Sequence, residues 1–161
     1  MNAAVEVSAV RGEEPLAAVL RPIHSAWIDQ ARRFLEPALE PGSDFWSRWS
    51  AVRYISDDFQ VWSRRERALL YVLRPFLPQD VAELLVREGE QVFQLRLELD
   101  RLGRRRCTAA EFAAAARALV EHLGLWCAEI ERAAGGITRD DLPAEGAELL
   151  GHLEAPLRIM R

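Results

Sequence analysis

The chain has 161 residues, 50% of them hydrophobic, which suffices for one domain with a substantial core and makes a second domain unexpected. Its formal charge of −4 and isoelectric point near 5.5 predict no general attraction to nucleic acid or anionic lipid, although a local basic patch is compatible with them. The chain has no lysine, which excludes Schiff-base chemistry and a phosphate-binding P-loop.

The N-terminal segment has no basic stretch followed by a long apolar run, and no later segment is apolar over the ~18 residues that a membrane-spanning helix needs. We therefore expect a cytoplasmic protein that binds neither membranes nor nucleic acid, with a flexible N-terminus over residues 1–14. Cys107 and Cys127 fit neither a disulfide framework nor a zinc-ligand spacing, so both are expected to be reduced thiols.

Apolar residues recur at helical spacing along the whole chain, and no segment alternates as a half-buried strand does. The first helix is predicted over residues 22–39, because Pro22 is best tolerated in a first turn. The second is predicted over residues 44–73 and ends before the segment RPFLP, whose prolines lack backbone donors.

One face of the second helix is apolar except at a single position. Its members are Val52, Ile55, Phe59, Trp62, Glu66, Leu69 and Leu73. Because an ionised carboxylate is costly to bury alone, we expect Glu66 to be paired, hydrogen-bonded or metal-bound.

The third and fourth helices repeat this pattern. Gln79 or Asp80 is expected to cap the third helix. Its predicted core positions are Val81, Leu85 (or Leu84), Glu88, Val92, Leu95, Leu99 and Leu102. A capping box formed by Thr108 and Glu111 starts the fourth helix. Its predicted core positions are Phe112, Ala115, Leu119, Leu123, Trp126, Ile130 and Ala133.

Four long helices with short connections predict an all-α fold in which residues 15–136 form an antiparallel, up-down four-helix bundle. Residues 137–161 are predicted to form a C-terminal tail with one short helix. The apolar residues of that helix are Leu149, Leu150, Leu153 and Leu157.

His24 and the segments WSRRERALLYVLRP, VREGEQVFQLRLELDRL and LGLWCAEIERAAGGI occur on predicted helices one to four, in that order. In order and content they resemble the hemerythrin-like (HHE cation-binding) family over roughly residues 16–136. The resemblance implies a four-helix bundle around a di-iron centre. In that family histidines and carboxylates from all four helices hold the metals, with a His-x-x-x-Glu motif on helices two and four.

The resemblance also implies that most of this metal site has been replaced. His24 matches the first-helix histidine, and Glu66 matches the second-helix carboxylate. The other matching positions hold Trp62, Gly89 and Trp126 in place of histidines, and Ile130 or Glu131 near the fourth-helix acidic position. So few donors cannot hold two irons, and we expect no metal cofactor, with a single iron or other divalent metal as the alternative.

The replacements are consistent with a repacked core, because two tryptophans supply apolar volume and a glycine leaves room for them. We expect His24 and Glu66 to form a buried hydrogen-bonded pair, which satisfies two polar groups. The same two residues are the candidates for a catalytic acid/base dyad.

Three classes of function remain. We favour a non-enzymatic bundle that binds a small molecule or a protein partner and is compatible with a homodimer. Its predicted ligand-pocket residues are Trp27, Phe59, Trp62, Gly89, Trp126 and Glu131. The alternatives are a cofactorless enzyme that uses His24 and Glu66, and a mononuclear metal or oxygen sensor that adds a fourth-helix glutamate.

Two further features have a less specific interpretation. The consecutive residues Arg104, Arg105 and Arg106 are interpreted as a solvated turn rather than an anion site. Trp46 and Trp49 are interpreted as core or lid aromatics.

Overall fold

The computed structural model of the protein describes residues 13–159, so residues 1–12 of the predicted flexible segment lie outside the described residues. Within that range every regular element is helical, which confirms the predicted all-α class. The α-helices are α1 (Leu16–Leu35), α2 (Phe45–Ser56), α3 (Asp58–Leu73), α4 (Gln79–Arg104), α5 (Ala109–Ala133) and α6 (Ala144–Ile159). Only Asp57 separates α2 from α3, so the described chain has five helices, the second of which is interrupted.

Helix α1 begins at Leu16 and contains Pro22 in its interior, so the predicted start at Pro22 is wrong. Its fully buried residues before His24 are Leu16, Leu20 and Ile23. Their burial, worth about 1.5–3 kcal/mol for each side chain, offsets the hydrogen bond that Pro22 cannot donate. The helix ends at Leu35, and a 3-10 turn over Glu36–Ala38 replaces the predicted last residues.

The predicted helix over residues 44–73 is present but interrupted, because Asp57 has φ −100° and ψ −80°. Aspartate favours helix ends, where its side chain competes for backbone hydrogen bonds. At the start of α2, Asp44 caps the helix by accepting a hydrogen bond from the amide of Ser47 at 2.8 Å. All predicted core positions from Val52 to Leu73 are buried, and Glu66 is 0% exposed.

Two predictions for α4 are wrong. Pro78 occupies the N-cap position and no side chain caps the helix, so neither Gln79 nor Asp80 has that role. Glu88 is only half-buried, and the neighbouring Gly89 takes the core position. This shift by one residue keeps a carboxylate out of the interior, where its desolvation would be costly.

Helix α5 starts at the predicted capping box. Thr108 Oγ1 accepts a hydrogen bond from the Glu111 amide at 3.1 Å, and Glu111 Oε2 accepts one from the Thr108 amide at 2.8 Å. The predicted apolar face is buried from Phe112 to Ile130, whereas Ala133 is only half-buried.

The helices enclose one apolar core. Helices α1 and α5 run in opposite directions, because His24 contacts Glu131 while Trp27, later on α1, packs on Trp126, earlier on α5. Helix α4 packs against α2, α3 and α5. No helix in the described part of the chain is long and apolar enough to cross a membrane.

The C-terminal tail forms a helix of 16 residues, so the predicted short element is longer than expected. Leu150 and Leu153 are fully buried, and Leu149 packs at the edge of the core. The side chain of Leu157 lies outside the described residues. Helix α6 packs against α3 and α1, which places it on the outside of the helix that carries Glu66.

Two helical glycines are expected to respond in opposite ways to a methyl group. A Cβ at Gly103 would collide with Cγ2 of Val52, whereas a Cβ at Gly124 meets no atom within 4 Å. Gly103→Ala should lower the free energy of unfolding by about 1–3 kcal/mol through overpacking. Gly124→Ala should raise it by about 0.5–1 kcal/mol, because alanine favours the helix. Urea denaturation measures both, and equal effects would contradict the close packing of α4 against α2.

Candidate functional site

A buried histidine is held between two carboxylates from different helices. On α1, His24 Nε2 lies 2.5 Å from Oε1 of Glu66 on α3, and its Nδ1 lies 2.8 Å from Oε1 of Glu131 on α5. The side chains of His24 and Glu66 are 1% and 0% exposed, and that of Glu131 is 21% exposed. We call Glu66, His24 and Glu131 the Glu–His–Glu triad. It connects the centre of the core to the surface of the chain.

The charge of the triad follows from its geometry. Burial alone would lower the pKa of His24, but the charges and hydrogen bonds of Glu66 and Glu131 outweigh it and raise this pKa from 6.5 to about 9. At neutral pH His24 is therefore an imidazolium that donates one N–H to each carboxylate. The triad is a buried ion-pair network rather than a neutral hydrogen bond.

The predicted contact between His24 and Glu66 is confirmed. No second partner of His24 was predicted, and the resemblance left Ile130 or Glu131 open as the residue at the fourth-helix acidic position. The structure buries Ile130 in the apolar core and directs Glu131 to the imidazole. Neighbouring residues of a helix point about 100° apart, so a shift of one residue decides which side chain reaches His24.

Two buried polar atoms of this region have no hydrogen-bond partner among the described residues. They are Oε2 of Glu66 and Nε1 of Trp27, which lies one turn after His24 on α1. A buried polar atom without a partner costs about 1–3 kcal/mol, more when it is charged. Burying Glu66 in the core therefore costs folding free energy, and the hydrogen bond to His24 offsets only part of this cost.

Three tryptophan rings pack against one another in the core. The Trp27 ring stacks on Trp62 with centroids 6.1 Å apart and meets Trp126 edge-on at 6.2 Å. Trp62 donates from Nε1 to Oε1 of Gln30 at 3.0 Å, and Trp126 donates to the Leu85 carbonyl at 3.0 Å. Both indoles are buried as predicted, and their polar N–H groups are satisfied.

Gly89 on α4 faces the Trp126 ring at close range. A Cβ at this position would lie 2.8 Å from Cζ2 of Trp126, which is closer than real Cβ contacts allow. Any side chain at residue 89 would therefore displace the indole. The glycine and the tryptophan act as one packing unit.

A cavity of about 300 Å³ opens between α3 and α4. We call it the α3–α4 cavity. Gly89 and Trp126 are among its buried lining residues. Its apolar walls are Leu70, Leu77, Ala82, Leu85 and Val86, and its other lining residues are Arg67, Tyr71, Arg74 and Glu90.

Most of the predicted ligand-pocket residues pack together in the core, where Trp27 contacts Phe59, Trp62 and Trp126, but they do not line one common cavity. Gly89 and Trp126 line the α3–α4 cavity, whereas Trp62 lines a separate cavity of about 420 Å³ beside α6. Trp27 and Phe59 are fully buried in the core. Glu131 belongs to the triad instead.

Neither candidate for the catalytic dyad, His24 or Glu66, lines either of these cavities. The sequence interpretation missed Arg67 and Arg74, which border the α3–α4 cavity. Arg74 directly follows α3 in the 3-10 turn Arg74–Phe76, so helical spacing did not mark it as a neighbour of Arg67.

Metal-binding geometry is absent from the part of the chain that the structure describes, where no group of three or more His, Cys, Asp or Glu side chains could hold an ion. The triad carboxylates approach the imidazole nitrogens instead of a shared point. His122 Nδ1 contacts the Ala118 carbonyl at 2.9 Å, and His152 pairs with Glu148 at 3.8 Å on the surface. Burial raises the pKa of Cys127, with a smaller effect of the nearby carboxylates, so its thiol stays protonated.

Comparisons of this chain with protein-family models, curated proteins and solved structures found no match. Function is therefore inferred from the geometry and chemistry of the described residues.

The raised pKa of His24 predicts a stability that depends on pH. Protonated His24 contributes its full stabilisation below the unfolded pKa of 6.5 and loses it as the pH rises through the folded value of about 9. The free energy of unfolding should therefore fall by up to about 3 kcal/mol between these two pH values. Denaturant unfolding at a series of pH values measures this slope.

The matched control is the double variant His24→Gln/Glu66→Gln, which keeps the side-chain shapes but has no ionisable group at either position. Its stability should be nearly constant across the same pH window, because residue 24 no longer titrates. A wild-type curve that is flat over this window, or equal slopes in both proteins, would contradict the buried imidazolium.

Proposed function

We propose that this chain is a divergent hemerythrin-like bundle in which packed tryptophans and the Glu–His–Glu triad take the place of a di-iron centre. The antiparallel contacts of α1 with α5 support this assignment. His24 and Glu66, which match family ligands, contact each other in the interior. The assignment rests on these residues and on the order of the segments that resemble the family.

The residues present do not fit a di-iron centre. Both nitrogens of His24 are hydrogen-bonded to carboxylates, so neither can donate to a metal while the triad is intact. The other positions that match family histidines hold Trp62, Gly89 and Trp126, none of which supplies a metal ligand. A mononuclear sensor would have to break the same hydrogen bonds to His24, and it is disfavoured for that reason.

We infer that the chain binds a small molecule in the α3–α4 cavity. The observation that supports this inference is the cavity itself. Its volume of about 300 Å³ is at the lower end of the range for small-molecule sites. Its walls are mainly aliphatic, and it ends at the Trp126 ring. Because a Cβ at Gly89 would press on that ring, the packing unit of Gly89 and Trp126 also defines the end of the cavity.

The charges at the cavity indicate the class of ligand. Arg67 is already paired with Glu90 at 2.7 Å, which leaves the guanidinium of Arg74 as the excess positive charge among the lining residues. Arginine recognises carboxylates and phosphates through paired N–H groups. The ligand is accordingly a compact apolar molecule with one anionic group, which lies at the mouth of the α3–α4 cavity. The role of the protein is then binding rather than catalysis.

Iron analysis tests the loss of the metal centre. Protein produced in iron-rich medium should contain far less than one iron per chain and lack the absorption bands of an oxo-bridged di-iron centre, because the required imidazoles are missing. Elemental analysis and absorption spectroscopy measure both properties. Stoichiometric iron in the folded protein would overturn this part of the proposal.

Ligand binding is tested with octanoate as the probe, because its aliphatic chain and carboxylate match the cavity. Calorimetry should show saturable binding, and the indole N–H resonance of Trp126 should shift during the titration. Val86→Trp should abolish binding by filling the cavity, since Val86 is 50% exposed at its wall. Arg74→Gln should weaken octanoate binding about tenfold, which corresponds to roughly 1.4 kcal/mol, while octanol binding should change little.

Two matched controls use exposed residues that do not line this cavity. Leu125→Trp adds the same ring to another helix surface, and Arg87→Gln removes a charge from the neighbouring part of α4. Both should bind octanoate as the wild type does. Absence of saturable binding to folded wild-type protein, or equal binding by Val86→Trp and Leu125→Trp, would contradict the proposed site.

A further inference from the structure

Three aromatic side chains at the start of α2 are exposed to solvent. Phe45, Trp46 and Trp49 are 63%, 68% and 45% exposed, so the core interpretation of the two tryptophans is wrong. Ring centroids are 5.4 Å apart between Phe45 and Trp46 and 6.3 Å apart between Trp46 and Trp49. We call these three residues the aromatic tip. A contiguous apolar patch of this kind on a surface is typical of an interaction site.

Arginines surround the aromatic tip. A groove of about 500 Å³ beside it is lined by Phe45, Trp49, Arg48 and the consecutive arginines 104–106 at the connection from α4 to α5. The guanidinium of Arg53 lies over the Trp49 ring, 5.4 Å from its centroid. Residues distant in sequence therefore place aromatic rings and positive charge on the same end of the molecule.

Part of this positive charge has no carboxylate partner. Arg104 pairs with Asp100 at 2.9 Å, and Arg53 pairs with Asp57 at 3.7 Å. Among the described residues, the guanidinium groups of the patch without a carboxylate within 4.0 Å are those of Arg48, Arg105 and Arg106. Asp44 and Glu111 interact electrostatically with Arg48 and Arg105, at more than 4.0 Å. The chain as a whole carries −4, so the remaining positive charge is local. It is the local basic patch that the overall charge left open, and it departs from the expectation that the chain binds no membrane.

We propose that the aromatic tip and its arginines dock this end of the chain onto an anionic lipid surface. Indole and phenyl rings insert at the level of the lipid headgroups, where apolar and polar surroundings meet. Guanidinium groups bind lipid phosphates and can reach them while their stems cover apolar surface. Because the rest of the chain is acidic, repulsion from the lipid would orient the molecule with the tip toward the membrane.

Other occupants fit the same surface less well. A second copy related by a twofold axis would bring identical arginines together, and like charges at such an interface are repulsive. An acidic protein segment would fit the groove, but Trp46, the most exposed ring of the aromatic tip, is not among the residues that line it. A lipid surface accepts a projecting ring without a preformed pocket.

Vesicle binding tests the proposal with the full chain. Vesicles of phosphatidylcholine and phosphatidylglycerol in equal parts should bind the protein in a sedimentation assay, whereas pure phosphatidylcholine should bind it at least about tenfold more weakly. High salt should release it from the mixed vesicles, because screening weakens the contribution of the arginines. Brominated lipids should quench tryptophan fluorescence through the inserted rings.

Paired variants separate the two components of the surface. Trp46→Ser/Trp49→Ser should lose the quenching by brominated lipid and most of the binding. Arg105→Gln/Arg106→Gln should lose the preference for phosphatidylglycerol. The controls are Phe76→Ser, an exposed aromatic in the turn after α3 that does not line the α3–α4 cavity, and Arg32→Gln/Arg33→Gln, two consecutive exposed arginines on α1. All four proteins alter exposed side chains, and circular dichroism checks that each remains folded.

Each result has a definite meaning. Binding that depends on phosphatidylglycerol and is lost only in the tip and Arg105/Arg106 variants supports the proposal. Equal binding to both vesicle types, no binding by the folded wild type, or equal loss in the control variants overturns it. Self-association in sedimentation equilibrium that disappears in Trp46→Ser/Trp49→Ser, without vesicle binding, would show instead that the tip contacts a second copy.

Discussion

The buried imidazolium of His24, held between two carboxylates, is the interaction on which the interior depends. Glu66 lies on the apolar face of α3 and is fully buried, so it requires a positively charged partner in the core. His24 supplies that charge, and Glu131 supports it from α5. One side chain thereby fixes three helices relative to one another. Removing one partner of such a network typically costs 3–5 kcal/mol, whereas exchanging the whole network for apolar groups can be neutral.

The tryptophans fill the space around this network and determine where a ligand can bind. Trp27 contacts both Trp62 and Trp126, so the rings form a continuous apolar layer beside the triad. Trp126 fits only because Gly89 has no side chain. The same close contact between α4 and Trp126 leaves the α3–α4 cavity on the outer side of the Trp126 ring. Packing that fills the centre of the core is thus compatible with a binding site at its flank, separated from the buried charges.

Periodicity predicted the helical class and the buried position of Glu66, because both depend on local spacing. The face containing Glu66 is buried throughout, and the capping box at Thr108 is present. Features that depend on tertiary contacts were not predictable in the same way. Burial of the residues before Pro22 extends α1, and the position of α4 against Trp126 selects Gly89 over Glu88 for the core. Likewise, exposure of the aromatic tip depends on what packs nearby, which spacing alone does not reveal.

The most direct test of this account is the protonation of His24, measured by nitrogen-15 NMR of the imidazole as the pH is raised. The signal is assigned by its loss in His24→Gln, which distinguishes it from the two other histidines. We predict that both ring nitrogens carry protons at neutral pH and that the ring titrates with a midpoint near 9, because two carboxylates stabilise the imidazolium. A ring with one unprotonated nitrogen at neutral pH, or a midpoint at or below 6.5, would contradict the central claim.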